Sequence, residues 1–151
     1  MNILDMKSIE RSITVKATRE RVWRALTTAR EFSSWFQVTV EGEFVPGKRM
    51  DMVANVPGWE GVKFWFQIEE MIPPSKFSYR WLPGAVLNDN DSNTTLVTFT
   101  LEEVPGGTRV TVLETGFEGV SLSKRAKAFQ ENTDGWRDQM ANLERYLGEH
   151  A

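Results

Sequence analysis

The sequence predicts an α+β fold, in which a curved antiparallel β-sheet carries two short helices and one long C-terminal helix packed across it. Short segments of alternating apolar and polar residues, separated by proline and glycine turns, fill the middle of the chain. After residue 121 the apolar period becomes helical. The chain has 151 residues, 40% of them apolar, without internal repeat or linker, so residues 1–151 are expected to form a single domain. Residues 1–7 are a candidate disordered tail.

The first predicted elements are one strand and two short helices. Residues 9–15 alternate in polarity, which is typical of a strand. Thr18 is placed to cap a helix over residues 19–26. Thr28 and Glu31 have the spacing of a capping box, which predicts that a second short helix begins at this point.

Further strands are predicted through the central part of the chain. They cover residues 38–43, 48–54, 62–71, 76–82, 95–103 and 108–114. Pro57-Gly58, Pro73-Pro74 and Pro105-Gly106-Gly107 are turn signals between them. The polar stretch 88–93 is expected to be a loop.

One long amphipathic helix is predicted over residues 121–148. Ser121 is a candidate N-cap, and Gly148 is a candidate stop signal. Helix-weakening residues at 133–135 predict a bend in the middle. The apolar stripe that should face the sheet consists of Phe129, Trp136, Met140, Leu143 and Leu147.

The composition excludes several classes of function. With 18 basic and 21 acidic residues and no basic stripe, the chain does not resemble a nucleic-acid binder. The absence of cysteine excludes thiol catalysis, and the only histidine, His150, stands beside the C-terminus, so no catalytic residue, metal site or cofactor is predicted. No apolar run has the length of a signal peptide or a membrane span, so we expect a cytoplasmic protein.

A straight helix on a curved sheet predicts a gap between the two. At about 24 cal/mol per Å³, an empty gap of about 300 Å³ would cost about 7 kcal/mol, against a total stability of about 5–15 kcal/mol. The gap must therefore be filled by large side chains, wetted, or kept for a ligand. The residues expected to line it, which would otherwise be ordinary core, are Trp35, Phe36, Met50, Met52, Phe64, Phe66, Phe77, Tyr79, Trp81, Val97, Phe99, Phe117, Phe129, Trp136 and Met140.

Glu114 is the acidic residue most closely associated with the predicted gap. Alternation from Val110 and Val112 directs it inward near the mouth of a pocket, where it would anchor a polar group of a ligand. From sequence alone we favour the alternative, a glutamate at the end of a strand that is exposed to water or paired with arginine or lysine. Asp51 and Glu70 are further candidates, although a bulge near Met71 would change the strand phase.

Five motifs in the same order resemble one known family, the activator of heat-shock-protein-90 ATPase homologues of the C-terminal-domain type. They are IERSITVKATRERVWRAL (9–26), EFSSWF (31–36), the prolines 73–74 with FSYRW (77–81), TLVTFTLEEVPGGTRVTVLETGF (95–117) and GWRDQMANLERYL (135–147). The resemblance implies the helix-grip, START-like fold of the SRPBCC superfamily, whose members bind lipids, sterols, polyketides and other apolar molecules. Where the family's hairpin often ends in histidine, this chain has Glu114.

The sequence therefore predicts a non-catalytic protein that binds a small hydrophobic or amphipathic molecule between sheet and helix, as a monomer or homodimer. One alternative implied by the resemblance is a chaperone-accessory module of the stress response, with a chaperone as its partner. A second alternative is an enzyme of the cyclase or aromatase type, for which Glu114 would supply the acid or base.

Overall fold

The computed structural model of the chain describes residues 6–84 and 93–151. Residues 1–5 of the candidate tail lie outside the described residues, and so does the predicted loop over 88–93 apart from Asn93.

The described residues form strands in the middle of the chain and helices near both ends. The strands are β1 (Ser8–Val15), β2 (Val38–Thr39), β3 (Arg49–Ala54), β4 (Lys63–Ile72), β5 (Lys76–Trp81), β6 (Thr95–Val104) and β7 (Gly107–Thr115). The helices are α1 (Arg19–Thr27), α2 (Ala29–Phe36) and α3 (Leu122–Glu149). A short 3-10 turn that the sequence did not reveal, Phe117–Gly119, precedes α3.

All seven strands form one antiparallel sheet in the order β1-β7-β6-β5-β4-β3-β2. Helix α3 packs on β1 and on α2, so that the chain's last element closes over its first. This arrangement confirms the predicted α+β class and the helix-grip fold.

The inner face of the sheet is a continuous apolar surface with one acidic residue in it. Ile68, Tyr79, Val97, Glu114 and Ile9 lie side by side across β4, β5, β6, β7 and β1, and all five are buried. Each fully buried large side chain contributes about 1.5–3 kcal/mol to stability. The carboxylate of Glu114 is the exception in this row, because a buried charge is costly unless hydrogen bonds or ion pairs satisfy it.

Helix α3 buries the predicted stripe against this face. Phe129, Trp136, Met140, Leu143 and Leu147 are all buried. The helix is regular across the predicted bend and passes Gly148 to end at Glu149, because packing on the sheet outweighs the low helix propensity of these residues.

Of the helices in the described residues, none combines the length and the apolar character that a bilayer span requires.

Strand β2 is shorter than the predicted strand over 38–43. After Thr39 the backbone leaves the sheet, and both the N–H and the C=O of Val40 bond to the hydroxyl of Ser33 on α2 at 3.3 Å. Gly42 then adopts φ +104°, which is outside the strand region. A side chain of α2 thus takes over the hydrogen bonds that a strand ladder would have used.

The predicted capping box at the start of α2 is wrong. Thr28 precedes the helix but makes no side-chain capping bond. The carboxylate of Glu31 turns away, pairs with Arg21 at 2.8 Å and Arg24 at 3.3 Å, and accepts a hydrogen bond from the Tyr146 hydroxyl at 2.8 Å. Glu31 is only 4% exposed, and its two ion pairs and its hydrogen bond with Tyr146 join α1, α2 and α3.

The cluster shifts the pKa values of two of its members. Burial by itself raises the pKa of Glu31, but the hydrogen bonds from Tyr146 and Arg21 and the charges of Arg21 and Arg24 outweigh it and bring the pKa below its usual 4.5. Burial, and then the hydrogen bond to Glu31, raise the pKa of Tyr146 above its usual 10.0.

The cluster predicts a loss of stability at both pH extremes. The contribution of Glu31 is complete above its usual pKa of 4.5 and is lost as the pH falls through the lower folded value. The contribution of Tyr146 is complete below 10.0 and is lost as the pH rises through its higher folded value. We expect Glu31→Gln to lower the free energy of unfolding at pH 7 by about 2–4 kcal/mol and to flatten the acid decline in urea titrations between pH 7 and pH 3. The exposed control Glu41→Gln should change neither, and an unchanged acid decline in Glu31→Gln would contradict this account.

Candidate functional site

An apolar cleft of about 150 Å³ lies at the end of the sheet where β3 and β5 stop and β4 begins. The last residue of α2 and the middle of α3 form its other walls. Its lining residues are Phe36, Val38, Ala54, Val56, Trp59, Val62, Phe64, Trp81, Leu82, Gly84, Glu131, Asn132, Gly135, Trp136 and Gln139. Several of them, including Trp59, Val62 and Leu82, are only half-buried, so the cleft opens to solvent.

The turn between β3 and β4 forms the outer side of the cleft. The Asn55 N–H bonds to the Gln37 carbonyl at 2.8 Å, which ties the turn to the end of α2. The Gly61 N–H bonds to the Ala54 carbonyl at 2.9 Å, which closes the turn on itself. This hydrogen bonding holds Trp59 at the edge of the cleft, on a segment that would otherwise be free to move.

Four aromatic rings form a continuous wall, which we call the aromatic wall and define as Phe36, Phe64, Trp81 and Trp136. The ring centroids of Trp81 and Trp136 are 5.8 Å apart. Phe36 lies 6.2 Å from Trp81 and 6.1 Å from Trp136, and Phe64 lies 6.3 Å from Trp81. These separations are typical of favourable aromatic packing, so the rings support one another without filling the cleft.

Behind the aromatic wall lies the carboxylate of Glu114, which is 0% exposed. Its Oε1 accepts from Trp136 Nε1 at 2.8 Å and from Asn132 Nδ2 at 2.9 Å. Its Oε2 accepts from Trp81 Nε1 at 2.8 Å, from Asn132 Nδ2 at 3.0 Å and from the Thr95 hydroxyl. Strand alternation thus predicted its inward direction correctly, and the alternative favoured from sequence is wrong, since the residue is neither exposed nor paired with arginine or lysine.

The burial of Glu114 is possible because fixed hydrogen-bond donors satisfy both of its oxygens, and all of these donors are neutral. Indole N–H and carboxamide NH₂ groups can only donate, so they match the lone pairs of an ionised carboxylate. The donors come from β5, β6 and α3, three elements that meet only in the folded chain. No local pattern in the sequence indicates this set of donors, because Thr95 and Asn132 are ordinary polar residues there.

Tyr79 shares the environment of Glu114 on the neighbouring strand. Burial, and then the negative charge of Glu114, raise the pKa of its hydroxyl well above the usual 10.0. This hydroxyl has no hydrogen-bond partner among the described residues. Tyr79 therefore remains neutral and contributes its ring to the core.

The polar residues that line the cleft come from α3. Gln139 donates from Nε2 to the Phe36 carbonyl at 2.8 Å, which caps the end of α2. Asn132 gives its NH₂ group to Glu114. Glu131 differs from both, since its Oε1 is buried without a hydrogen-bond partner in the described part of the chain.

Only some of the residues that were expected to line the gap lie at the cleft. Phe36, Phe64, Trp81 and Trp136 line the cleft, and Glu114 lies directly behind it. The others lie in the hydrophobic core away from this cleft, and they are Trp35, Met50, Met52, Phe66, Phe77, Tyr79, Val97, Phe99, Phe117, Phe129 and Met140. In the middle of the interface the Phe99 and Trp136 rings pack at 5.7 Å, so side chains fill the space there.

Several cleft residues escaped sequence reasoning. The largest is Trp59, which stands just after Pro57-Gly58 in a turn. A large aromatic residue in a predicted turn, outside any predicted strand, was the one sequence feature that could have indicated its role. Asp51 is instead exposed and pairs with Arg49, and Glu70 is exposed and pairs with Lys76. The predicted bulge lies between Ile68 and Glu70.

Within residues 6–84 and 93–151, no group of three or more acidic or histidine side chains could hold a metal ion.

The family model described as activator of Hsp90 ATPase homolog 1-like protein matches residues 16–148 of the chain. Protein MLL2253 from Mesorhizobium loti is similar in structure, with 23% identity, a TM-score of 0.78, and coverage of 96% of this chain and 99% of that one. A protein from Arthrobacter aurescens has 18% identity and a TM-score of 0.78 over 99% and 90%. The Aha1 dimer from Colwellia psychrerythraea has 20% identity and a TM-score of 0.70 over 93% and 95%. No curated protein sequence matches the chain.

Removing the charge of Glu114 should destabilise the fold. In Glu114→Gln an NH₂ group faces the N–H donors of Trp81, Trp136 and Asn132, so at least one donor loses its acceptor. We expect the free energy of unfolding in urea to fall by about 2–4 kcal/mol. The control is Glu102→Gln on β6, whose exposed pair with Arg109 contributes only about 0–1 kcal/mol. Equal losses in the two variants would contradict this view of the site.

Proposed function

Because this chain belongs to the activator of Hsp90 ATPase homolog 1-like family, we propose that it is a binding module of that family. In this proposal it takes a small hydrophobic or amphipathic molecule into the cleft between the sheet and α3 and does not transform it. The observation that carries the proposal is the aromatic wall, which faces a partly open space.

The size of the cleft limits what it accepts. Pockets for drug-sized ligands usually measure about 300–1,000 Å³, whereas about 150 Å³ is enough for a benzene-sized molecule. The cleft of about 150 Å³ therefore fits one ring or one short branched chain. A larger amphipathic molecule would insert one such group and leave its remainder at the open side, beside Trp59 and Leu82.

Catalysis by Glu114, the candidate acid or base of the sequence, is disfavoured because both oxygens of this buried carboxylate are occupied. A general acid or base must reach the proton that it transfers. Both oxygens of Glu114 already accept hydrogen bonds, and the rings of Trp81 and Trp136 lie between it and the cleft. In this position Glu114 holds the aromatic wall and does not meet a substrate.

A role as chaperone accessory is the second candidate function. It is favoured by the description of the family and by the Aha1 dimer among the similar structures. Stimulation of ATP hydrolysis by Hsp90 from the same organism, with no binding of small apolar probes to the cleft, would favour this role over ligand binding.

Filling the cleft tests the ligand-binding proposal. Gly135 lines the cleft, and a Cβ added there meets nothing within 4 Å, so Gly135→Leu places a side chain in the cleft without a clash at Cβ. Replacing a glycine inside a helix also adds about 0.5–1 kcal/mol of stability. We expect the variant to remain folded and to bind benzyl alcohol at least tenfold more weakly than the unmodified chain, whose Kd should be about 0.1–10 mM. Indole N–H shifts of Trp81 and Trp136 in NMR titrations report the binding.

The matched control for this experiment is Gly148→Leu. Gly148 lies on the same helix, is exposed, and also has open space around the added Cβ. Its replacement should leave the affinity unchanged. Equal affinity in Gly135→Leu and the unmodified chain would count against the cleft as the binding site.

A further inference from the structure

We propose that the cleft selects an organic cation, namely an amine or quaternary ammonium group that carries one small apolar group. This inference rests on the proposed function, since it names the class of ligand for the same cleft. It is carried by four features: the charge of Glu114, the carboxylate of Glu131, the aromatic lining, and amide and indole donors of Asn132, Gln139, Trp81 and Trp136 that are already occupied.

The first feature is the uncompensated charge of Glu114. Two glutamates among the described residues are buried, and they differ in the charge of their partners. Glu31 pairs with Arg21 and Arg24, which balance its charge. Glu114 receives hydrogen bonds from neutral groups only, which stabilise the carboxylate but leave its negative charge behind the aromatic wall.

The second feature is Glu131, which adds a carboxylate to the lining itself. Its Oε1 is buried without a partner among the described residues, and it lies 3.4 Å from the position of a Cβ on Gly84. No lysine or arginine lines the cleft in the described part of the chain. Residues 85–92, which follow Gly84 in the sequence, include no lysine or arginine. The Glu131 carboxylate therefore adds a second unbalanced negative charge to the wall of the cleft, and this charge attracts a bound cation through space.

The third feature is the aromatic lining, which contains three tryptophans, Trp59, Trp81 and Trp136. Tryptophan is the side chain that attracts organic cations most strongly through its π-electrons. Trp81 and Trp136 both donate their N–H groups to the Glu114 carboxylate. Hydrogen bonding to an anion makes an indole more electron-rich, so the buried charge strengthens the attraction of these two rings for a cation.

The cleft also disfavours an anion, because its amide donors are already occupied. The NH₂ group of Asn132 bonds to Glu114, and that of Gln139 bonds to the Phe36 carbonyl. The indole N–H groups of Trp81 and Trp136 are occupied in the same way. A carboxylate or phosphate ligand would meet two negative charges and would have to displace one of these bonds.

Three probes of matched size test the inference: benzylammonium, benzyl alcohol and benzoate. Each is titrated into the full chain at pH 7 and about 150 mM salt, where interactions beyond about 8 Å are screened, so that the overall charge of −3 contributes little. We expect benzylammonium to bind at least tenfold more tightly than benzyl alcohol, which is a difference of about 1.4 kcal/mol. Benzoate should bind most weakly. Indole N–H shifts of Trp81 and Trp136 identify the site.

Two variants assign the selectivity to the cleft. Glu131→Gln removes the lining charge and should reduce the preference for benzylammonium over benzyl alcohol at least threefold. Glu144→Gln, an exposed position on the same helix, removes the same formal charge and should leave the preference unchanged. Equal reductions in both variants would mean that the overall charge, and not the cleft, causes the selectivity, and would overturn the inference.

The outcomes separate this inference from the proposed function. If benzyl alcohol binds in the cleft as tightly as benzylammonium, or if benzoate binds most tightly, the cation inference is wrong and the ligand-binding function stands. If none of the three probes binds in the cleft, both are wrong.

Discussion

The burial of one carboxylate governs the geometry of the candidate site. Glu114 stands on the inner face of the sheet, where a charge without partners would cost several kcal/mol. Donors from β5, β6 and α3 satisfy it, and two of them are the indoles of Trp81 and Trp136. Because each ring must present its N–H group to the same carboxylate, the two rings are fixed in position and form the centre of the aromatic wall.

The two buried glutamates show how the choice of partner determines what a buried charge does. Glu31 is neutralised by arginines and joins three helices, so its effect is on stability and on the dependence of stability on pH. Glu114 is held by neutral donors, so its charge remains and acts on whatever enters the cleft. The same residue type thus has a structural role at one end of α3 and an electrostatic role near its middle.

The position of the cleft follows from the way in which large rings fill a curved interface. At the centre of the sheet, Phe99 and Trp136 pack against each other, and the space closes. Toward the ends of β3 and β5 the strands stop, and the turn that carries Trp59 replaces a packed layer. Small side chains in the lining, Ala54 and Gly135, preserve the space, because neither has the atoms to occupy it.

The sequence by itself determined the elements, because alternating and helical apolar periods depend on neighbouring residues that share one face. These periods predicted the strands after residue 48, the apolar stripe of α3 and the inward direction of Glu114. The tertiary structure alone decided that Glu31 pairs with Arg21 and Tyr146 in place of capping α2, and that Asn132 meets Glu114. It also decided which rings face the cleft. These outcomes depend on side chains that are distant in the chain, and no local pattern records which of them come into contact.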